Sequence, residues 1–469
     1  MAPYLPPECL QEIFNNLVDD FQTLHSIIFV NKLWCATGIR ILWRKPFSYD
    51  NEWNNLYKII PIYLSFLSKE IKIQHELQEV LISTKPFFNY VSYIRELDLY
   101  SLLMQLCEWM VKSKFISTRP RILTESDDFE EEDPIMRLIC QDMTEKVSLK
   151  RNMYIIKEII MIIVEKSPKI DYLEMTMGNM DGIVFDYLDS EYFSDIFNDI
   201  SSEWFTKISK LEYDGRYLFK KFTEHANNIK KLSFGFHTFT PDLIPKLSQN
   251  SNLERLQLRN VEFTVHDYDN FSIDIKFSKL ISLELFDVRM ASQYPEKSLV
   301  YLIEQMMKSS KLISLDLEPY IGVKYDKLLE FIPCHCANLT EITLKINEAY
   351  EETMKTILKI LPNLNKLRIL RITEDWGGIQ LDGGKYIDKL ILPNQLQFFN
   401  VTGLLFSDEC LKIFFEKCCS DLKQVVLLLK NYNVKHEQII KSFSLEKKKD
   451  IEDIIVSIDN KSEITINWR

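Results

Sequence analysis

Apolar residues follow two different periods along this chain. Over residues 5–43 they recur every three or four positions: Leu10, Ile13, Phe14 and Leu17, then Phe21, Leu24, Ile27 and Ile28, then Leu33 and Trp34 running on to Leu42 and Trp43. That spacing draws one apolar stripe on each of three short helices. Their starts are marked too. Pro6 and Pro7 preset the backbone of a first turn with Glu8 at its positive end, while Asp19 with Asp20, and then Asn31, offer caps to the next two helices. Three helices of this size bury too small a fraction of their surface to be comfortably stable alone, so the stretch predicts a partner or a packed neighbouring domain.

Past an aromatic, Asn-rich connector, helical patterns cover Leu56 to Leu67 and Ile71 to Val80. From Tyr93 onward the pattern L-x-x-L-x-L, with any aliphatic or aromatic residue at its apolar places, returns again and again. The instances are Ile94/Leu97/Leu99, Ile170/Leu173/Met175, Ile208/Leu211/Tyr213, Ile229/Leu232/Phe234, Leu253/Leu256/Leu258, Leu280/Leu283/Leu285, Leu312/Leu315/Leu317, Leu339/Ile342/Leu344, Leu364/Leu367/Ile369, Leu396/Phe399/Val401 and Leu422/Val425/Leu427. From the third instance on they are spaced by 21 to 32 residues. Helical stretches lie between them: Tyr217 to Asn227, Val300 to Lys308, Lys327 to Cys336, Glu352 to Leu361 and Asp408 to Cys419. Neither a lone strand nor a lone helix buries its apolar face, so stacked units make a parallel sheet on the concave side and helices outside.

Side chains alternate along such strands, which puts the flanking residues on the concave face. They include Glu212, Asp214, Lys231, Arg255, Gln257, Arg259, Glu284, Phe286, Asp316, Glu318, Glu341, Lys345, Lys366 and Arg368. The charges come in blocks of alternating sign, which suits a protein or peptide partner. Arg255, Arg259 and Phe286 are the expected partner contacts, because Arg and aromatic residues dominate interface energetics. The competing reading is that these are solvated strand residues.

Two segments interrupt the array. Glu125 to Pro134, "ESDDFEEEDP", is an acidic run within an insertion at about 117–150, and reads as a solvated loop. Trp376 to Gly384, "WGGIQLDGG", reads as turns or a protruding hairpin; it lacks the spacing and terminal Lys-Ser/Thr of a phosphate-cradling loop.

Hydrophobic residues at 46% supply ample core, yet no apolar run reaches the roughly 18 residues of a membrane-spanning helix. No secretory leader is evident, which implies a reducing, cytoplasmic and/or nuclear compartment. The nine cysteines suit buried hydrophobes better than a disulfide framework. A formal charge of −11 argues against nucleic acid.

Catalytic chemistry finds little footing. Cys334, His335 and Cys336 with Cys418 and Cys419 lack the paired spacings of a zinc site, and read as buried repeat cysteines. The seven histidines are dispersed, with none near a glycine-framed nucleophile. No catalytic residue, metal or cofactor is expected.

One stretch carries a family resemblance. "LPPECLQEIFNNL", "LHSIIFVNKLW" and "ILW", spanning residue 4 to about 47, resemble the F-box: Leu-Pro, a spaced Ile-Leu, a Val-x-(Arg/Lys)-x-Trp core and a closing Leu-Trp. Asn31 departs from the Cys or small residue usual there. The repeats resemble the irregular leucine-rich repeats often found after an F-box, although the Asn usual after each strand is mostly missing; Asn260 and Asn347 fall near its place. The resemblance implies an α/β chain: an F-box at 1–47, a helical linker at 48–90 and a leucine-rich-repeat solenoid at 91–469. It further implies that Leu5, Pro6, Ile13, Phe14, Leu24, Val30 and Trp34 bind the Skp-type adaptor of a cullin–RING ubiquitin ligase, while the repeats hold an unknown protein substrate. The alternative is a repeat scaffold that assembles partners without ubiquitin transfer, its N-terminal helices being only a cap.

Overall fold

The computed structural model describes residues 5–47, 56–74, 86–113, 146–175, 200–214, 227–235, 238–239, 243–264, 275–291, 295–308, 310–319, 326–346, 350–374, 381–417, 422–429, 434–447, 451–459 and 461–468. The chain divides into two compact units, Met1–Ile229 and Lys230–Arg469.

The first unit opens with α1 (Pro7–Asn15), α2 (Phe21–Ile27) and α3 (Lys32–Leu42). Two of the expected caps form: the Asp20 carboxylate accepts from the Thr23 N–H at 3.0 Å, and the Asn31 side chain from the Trp34 N–H at 3.0 Å. Leu10, Phe14, Leu24, Ile27, Ile39, Ile41 and Leu42 make a small core, against which Trp34 sets its ring edge-to-face with Phe14, centroids 5.3 Å apart. Gly38 lets α3 approach α2, since a Cβ there would stand 3.1 Å from Ile27. Phe88, Tyr90 and Tyr93 from downstream close over the same core.

Short helices α4 (Ile60–Ser65) and α5 (Lys69–Gln74) follow, then β1 (Glu96–Asp98), α6 (Leu99–Lys112), the helix Lys146–Lys166, β2 (Tyr172–Met175), the helix Ser202–Phe205 and β3 (Lys210–Asp214). The three strands are parallel, with Leu97 beside Leu173 and Leu173 beside Leu211, all fully buried. The acidic run at 125–134 and the expected helix at 217–226 lie outside the described residues. The helix that buries Ile155, Ile156, Ile159 and Ile160 begins at Lys146.

In the second unit, β4 (Lys231–Gly235), β6 (Arg255–Arg259), β8 (Ser282–Ala291), β9 (Ser314–Pro319), β10 (Glu341–Ile346), β11 (Ile369–Glu374), β13 (Phe398–Phe406) and β14 (Gln424–Leu429) lie side by side in parallel. The helices Leu243–Ser248, Pro295–Lys308, Asp326–His335, Tyr350–Ile360 and Asp408–Lys417 come between successive strands. The array ends on an antiparallel pair, β16 (Lys461–Trp468) against β14 and β15 (Ile451–Asp459) against β16. Short strands β5 (Thr238–Phe239) and β7 (Glu262–Thr264) join the far end of β8 in a second parallel row. The chain turns into that row at Asn260 and Asp287, equivalent positions with φ of 51° and 52°. Asn and Asp tolerate this left-handed conformation better than most residues.

A backbone ladder fixes the strand register. One carbonyl of each repeat accepts from two consecutive N–H groups of the next: Glu254 from Ile281 and Ser282, Ile281 from Ile313 and Ser314, Ile313 from Thr340 and Glu341, Thr340 from Arg368 and Ile369, Arg368 from Gln397 and Phe398. The ladder corrects one expected repeat. Its members are Leu367, Leu370 and Ile372, three residues beyond Leu364/Leu367/Ile369, because Leu370 and Ile372 are the residues beside Ile342 and Leu344. Leu364 closes the short helical turn Leu361–Asn363 instead.

The same rung occurs in the first unit. Arg95 O accepts from Asp171 and Tyr172, Asp171 O from Ser209 and Lys210, and ahead of both Arg44 O accepts from Arg95 and Glu96. Arg44 follows directly on α3, so the N-terminal helices supply a first rung without supplying a strand.

The described part of the Gly-rich segment is no hairpin. Leu381–Asp382 forms a short parallel strand, β12, on β13, and Gly383 donates its N–H to the Leu405 carbonyl at 2.9 Å.

Candidate functional site

Two surfaces hold the residues singled out above. On the N-terminal helices, Leu5 (43% exposed), Ile13 (47%) and Val30 (56%) are open to solvent, and Phe29, which sequence reasoning passed over, is 74% exposed. Pro6 is exposed at the entrance to α1, and Trp34 is half-buried. Phe14 and Leu24 differ, being sealed in the helical core at 1% exposure each. The stripe that sequence periodicity treats as one set therefore has two faces. Phe14 and Leu24 hold the helices together, while Leu5, Ile13, Phe29 and Val30 stay unused by the core.

The second surface is the side of the second unit's sheet away from the buried leucines. Burial alternates as expected, with Leu256 and Leu258 inside and Gln257 and Arg259 half-exposed. The register arranges this face in rows across neighbouring strands: Ser233, Gln257, Glu284, Asp316, Thr343, Arg371 and Asn400 in one, and Arg259, Phe286 and Glu318 in the next, which Lys345 joins through its ion pair with Glu318. Arg255, Arg259 and Phe286 are thus brought together, Phe286 standing directly beside Arg259. Lys366 and Arg368 are not part of the strand; with the corrected register, Arg371 takes the basic place. Asp214's side chain lies outside the described residues.

Hydrogen bonds run along the rows. Ser233 Oγ donates to Gln257 Oε1 at 2.7 Å, Gln257 Nε2 to Glu284 Oε2 at 2.7 Å, and Arg259 Nη2 to Ser233 Oγ at 3.3 Å. Glu318 pairs with Lys345 at 2.6 Å, and Glu341 with Arg371, whose guanidinium also lies 4.8 Å from the centre of the Phe398 ring. Asp316 stands apart. Its Oδ1 is shielded and has no hydrogen-bond partner among the described residues, and burial, with Glu284 and Glu318 nearby, pushes its carboxyl up to about 7. Sequence reasoning placed Asp316 on this face but missed its isolation, which depends on what the neighbouring strands present.

The first unit carries a smaller row of the same kind, Asp98, Glu174 and Glu212 on adjacent strands. Lys210 pairs with Glu212 at 2.8 Å and lies over the Tyr172 ring, and Tyr172 Oη donates to Glu174 at 2.6 Å. Asp98 caps α6 through the Ser101 N–H at 2.9 Å, while burial pushes its carboxyl up to about 6.

Of the cysteines expected to be buried in the repeats, Cys336 is buried and its thiol pushed up to about 12, but Cys334 is exposed. Among the described residues no group of His, Cys, Asp and Glu could hold a metal ion, and no helix is long and apolar enough to cross a membrane.

No protein-family model matches the chain, and no curated protein matches it. Solved structures with some similarity include the leucine-rich repeat-containing protein LegL7 of Legionella pneumophila, 13% identical over 54% of this chain and 94% of that one, with a TM-score of 0.30. An internalin of Listeria monocytogenes is 13% identical over 60% of this chain and 80% of its own, with a TM-score of 0.27. A TLR13–ssRNA13 complex is 12% identical over 56% of this chain and 44% of its own, with a TM-score of 0.24. What assigns the α/β repeat architecture here is the ladder of parallel strands with helices between them.

Proposed function

We propose that the protein is a non-catalytic recruiting subunit of a cullin–RING ubiquitin ligase, its N-terminal helices docking on a Skp-type adaptor and its repeat sheet holding a protein substrate. The observation that carries this reading is the pairing of two properties in one small helical unit. Leu5, Ile13, Phe29 and Val30 are exposed, while Arg44 at the end of α3 is built into the backbone ladder of the strands that follow. An apolar docking surface on the same chain as a recognition sheet suits a recruiting subunit, since proximity raises the effective concentration of substrate lysines near the ubiquitin-carrying enzyme. Such a complex would work in the cytoplasm and/or nucleus. The resemblance of residues 4–47 to the F-box names the adaptor.

A second reading draws on the same rung. Because Arg44 continues the ladder, the helices also serve as an N-terminal cap, and a scaffold without ubiquitin transfer would need no more than that. Net charge gives no ground for excluding nucleic acid as its partner, because the sign of the whole chain does not set that of Arg255 and Arg259 on one strand.

Co-purification with a Skp-type adaptor separates the readings. Leu5→Ala/Pro6→Ala and Ile13→Asp alter exposed positions, so the fold should survive while adaptor recovery falls. Equal recovery by all variants, or none by the wild type, would leave the scaffold reading.

A further inference from the structure

The open face of the second unit carries charge that its own side chains do not neutralise, and the sign changes between strands. Glu318 is held by Lys345 and Glu341 by Arg371. Glu284 and Asp316, side by side in register, make no ion pair within 4 Å among the described residues. Among the described residues Glu284 accepts only from neutral Gln257 and Ser282, and Asp316 Oδ1 accepts from nothing. Lys345 and Arg371 face Asp316 from β10 and β11 but are held by the other two carboxylates. On β6, Arg255 and Arg259 also lack an ion pair among the described residues; Arg259 is steadied by Ser233, and its shielded Nε has no acceptor there. Phe286, half-buried, lies between these two sets of charges, beside Arg259 on one side and Glu318 on the other.

Resting on the reading that this face holds the recruited protein, the geometry points to the class of segment it takes: one that sets a Lys or Arg on Glu284 and Asp316, an acidic side chain on Arg259, and an apolar side chain over Phe286. Adjacent strands lie about 4.8 Å apart and each residue advances about 3.3 Å along a strand, so Arg259 and Asp316, two strands and one row apart, are separated by roughly 12 Å. About three to four residues of extended chain span that distance. A basic side chain supplies the donor that Asp316 Oδ1 lacks and relieves the repulsion between the two carboxylates. An all-acidic segment, or a nucleic acid, would meet Arg255 and Arg259 favourably but be repelled by Glu284, Asp316 and Glu318.

The test is selection of a phage-displayed library of short random peptides against the full-length protein. Enriched peptides are then synthesised and titrated at pH 8 against wild type, Glu284→Gln/Asp316→Asn, Arg259→Glu and Phe286→Ala, each checked for a single cooperative unfolding transition. The expected winners carry a Lys or Arg and an Asp or Glu about three to four residues apart, and bind the Glu284→Gln/Asp316→Asn variant about tenfold or more weakly, a loss of about 1.4 kcal/mol. Peptides that need Phe286 yet bind that variant as well as wild type would overturn the inference while leaving the recruiting face intact. Peptides indifferent to every substitution would overturn both. Displacement of the peptides by single-stranded polyuridine at lower concentration than by free peptide would also overturn the inference, by assigning the face to nucleic acid.

Discussion

Arg44 and Glu96 are joined twice: the Arg44 carbonyl accepts the Glu96 N–H at 3.0 Å, and the Arg44 Nε lies 3.0 Å from Glu96 Oε1. The first bond needs only backbone, so it survives any side-chain change; the second is a partly exposed ion pair. Arg44→Ala should therefore cost only about 1 kcal/mol, and a double-mutant cycle with Glu96→Gln should return a coupling of that order or less. Urea unfolding followed at high and low salt checks both, and a coupling above about 3 kcal/mol would mean the pair is far more buried than its geometry says.

The two faces of α1 predict opposite behaviour from adjacent residues. Phe14→Ala removes a ring that is 1% exposed and packed on Trp34, and should cost about 3–5 kcal/mol, enough to melt the helical unit. Ile13→Ala, at 47% exposure, should cost well under about 1 kcal/mol. Circular dichroism during heating distinguishes them. If Ile13→Ala were as damaging as Phe14→Ala, the exposed surface on these helices would be part of the core.

Gly383 is predicted to tolerate no side chain without local movement. A Cβ there would sit 2.9 Å from the Leu405 carbonyl oxygen, a backbone atom fixed in β13. Gly383→Ala should cost about 1–3 kcal/mol by forcing the two segments apart. Thermal unfolding measures the loss, and hydrogen exchange at the Gly383 N–H should quicken because its bond to Leu405 lengthens.

Which parts of this architecture the sequence discloses follows from what carries the information. Alternation of buried leucines is a side-chain signal, so ten of the repeats fall where periodicity places them. The remaining one slips because the run Leu364, Leu367, Ile369, Leu370 and Ile372 fits the repeat pattern in two registers, and the choice is made by the Thr340 carbonyl, which has no sequence signature. Arg44 was equally illegible, being a backbone acceptor outside any strand. At the N-terminal helices, apolar spacing cannot say which of Ile13 and Phe14 turns inward. On the open face, Arg255, Arg259 and Phe286 were readable from strand parity alone, whereas the isolation of Asp316 depends on Glu284, Lys345 and Arg371, each arriving from a different strand.

That isolation gives Asp316 a signature in solution. Its folded-state carboxyl is raised to about 7 from 3.8, so between roughly pH 4 and 7 the folded protein holds a proton that the unfolded chain releases. The favourable contribution of that proton is complete below about pH 4, falls as pH rises, and is gone above about 7. Asp316→Asn is neutral at every pH and keeps nearly the same shape, so it should flatten this part of the stability profile. At pH 8 it should be more stable than wild type by about 1–2 kcal/mol, after allowing for partial solvent screening. Near pH 4 the two proteins should be alike. Asp98, raised to about 6 in the first unit, gives a slope of the same sign in both proteins and cancels in the difference. Urea midpoints at several pH values measure this, and an Asp316→Asn variant less stable than wild type at pH 8 would show that Lys345 and Arg371 already stabilise the Asp316 carboxylate, leaving no unmet charge for a partner's basic side chain to satisfy.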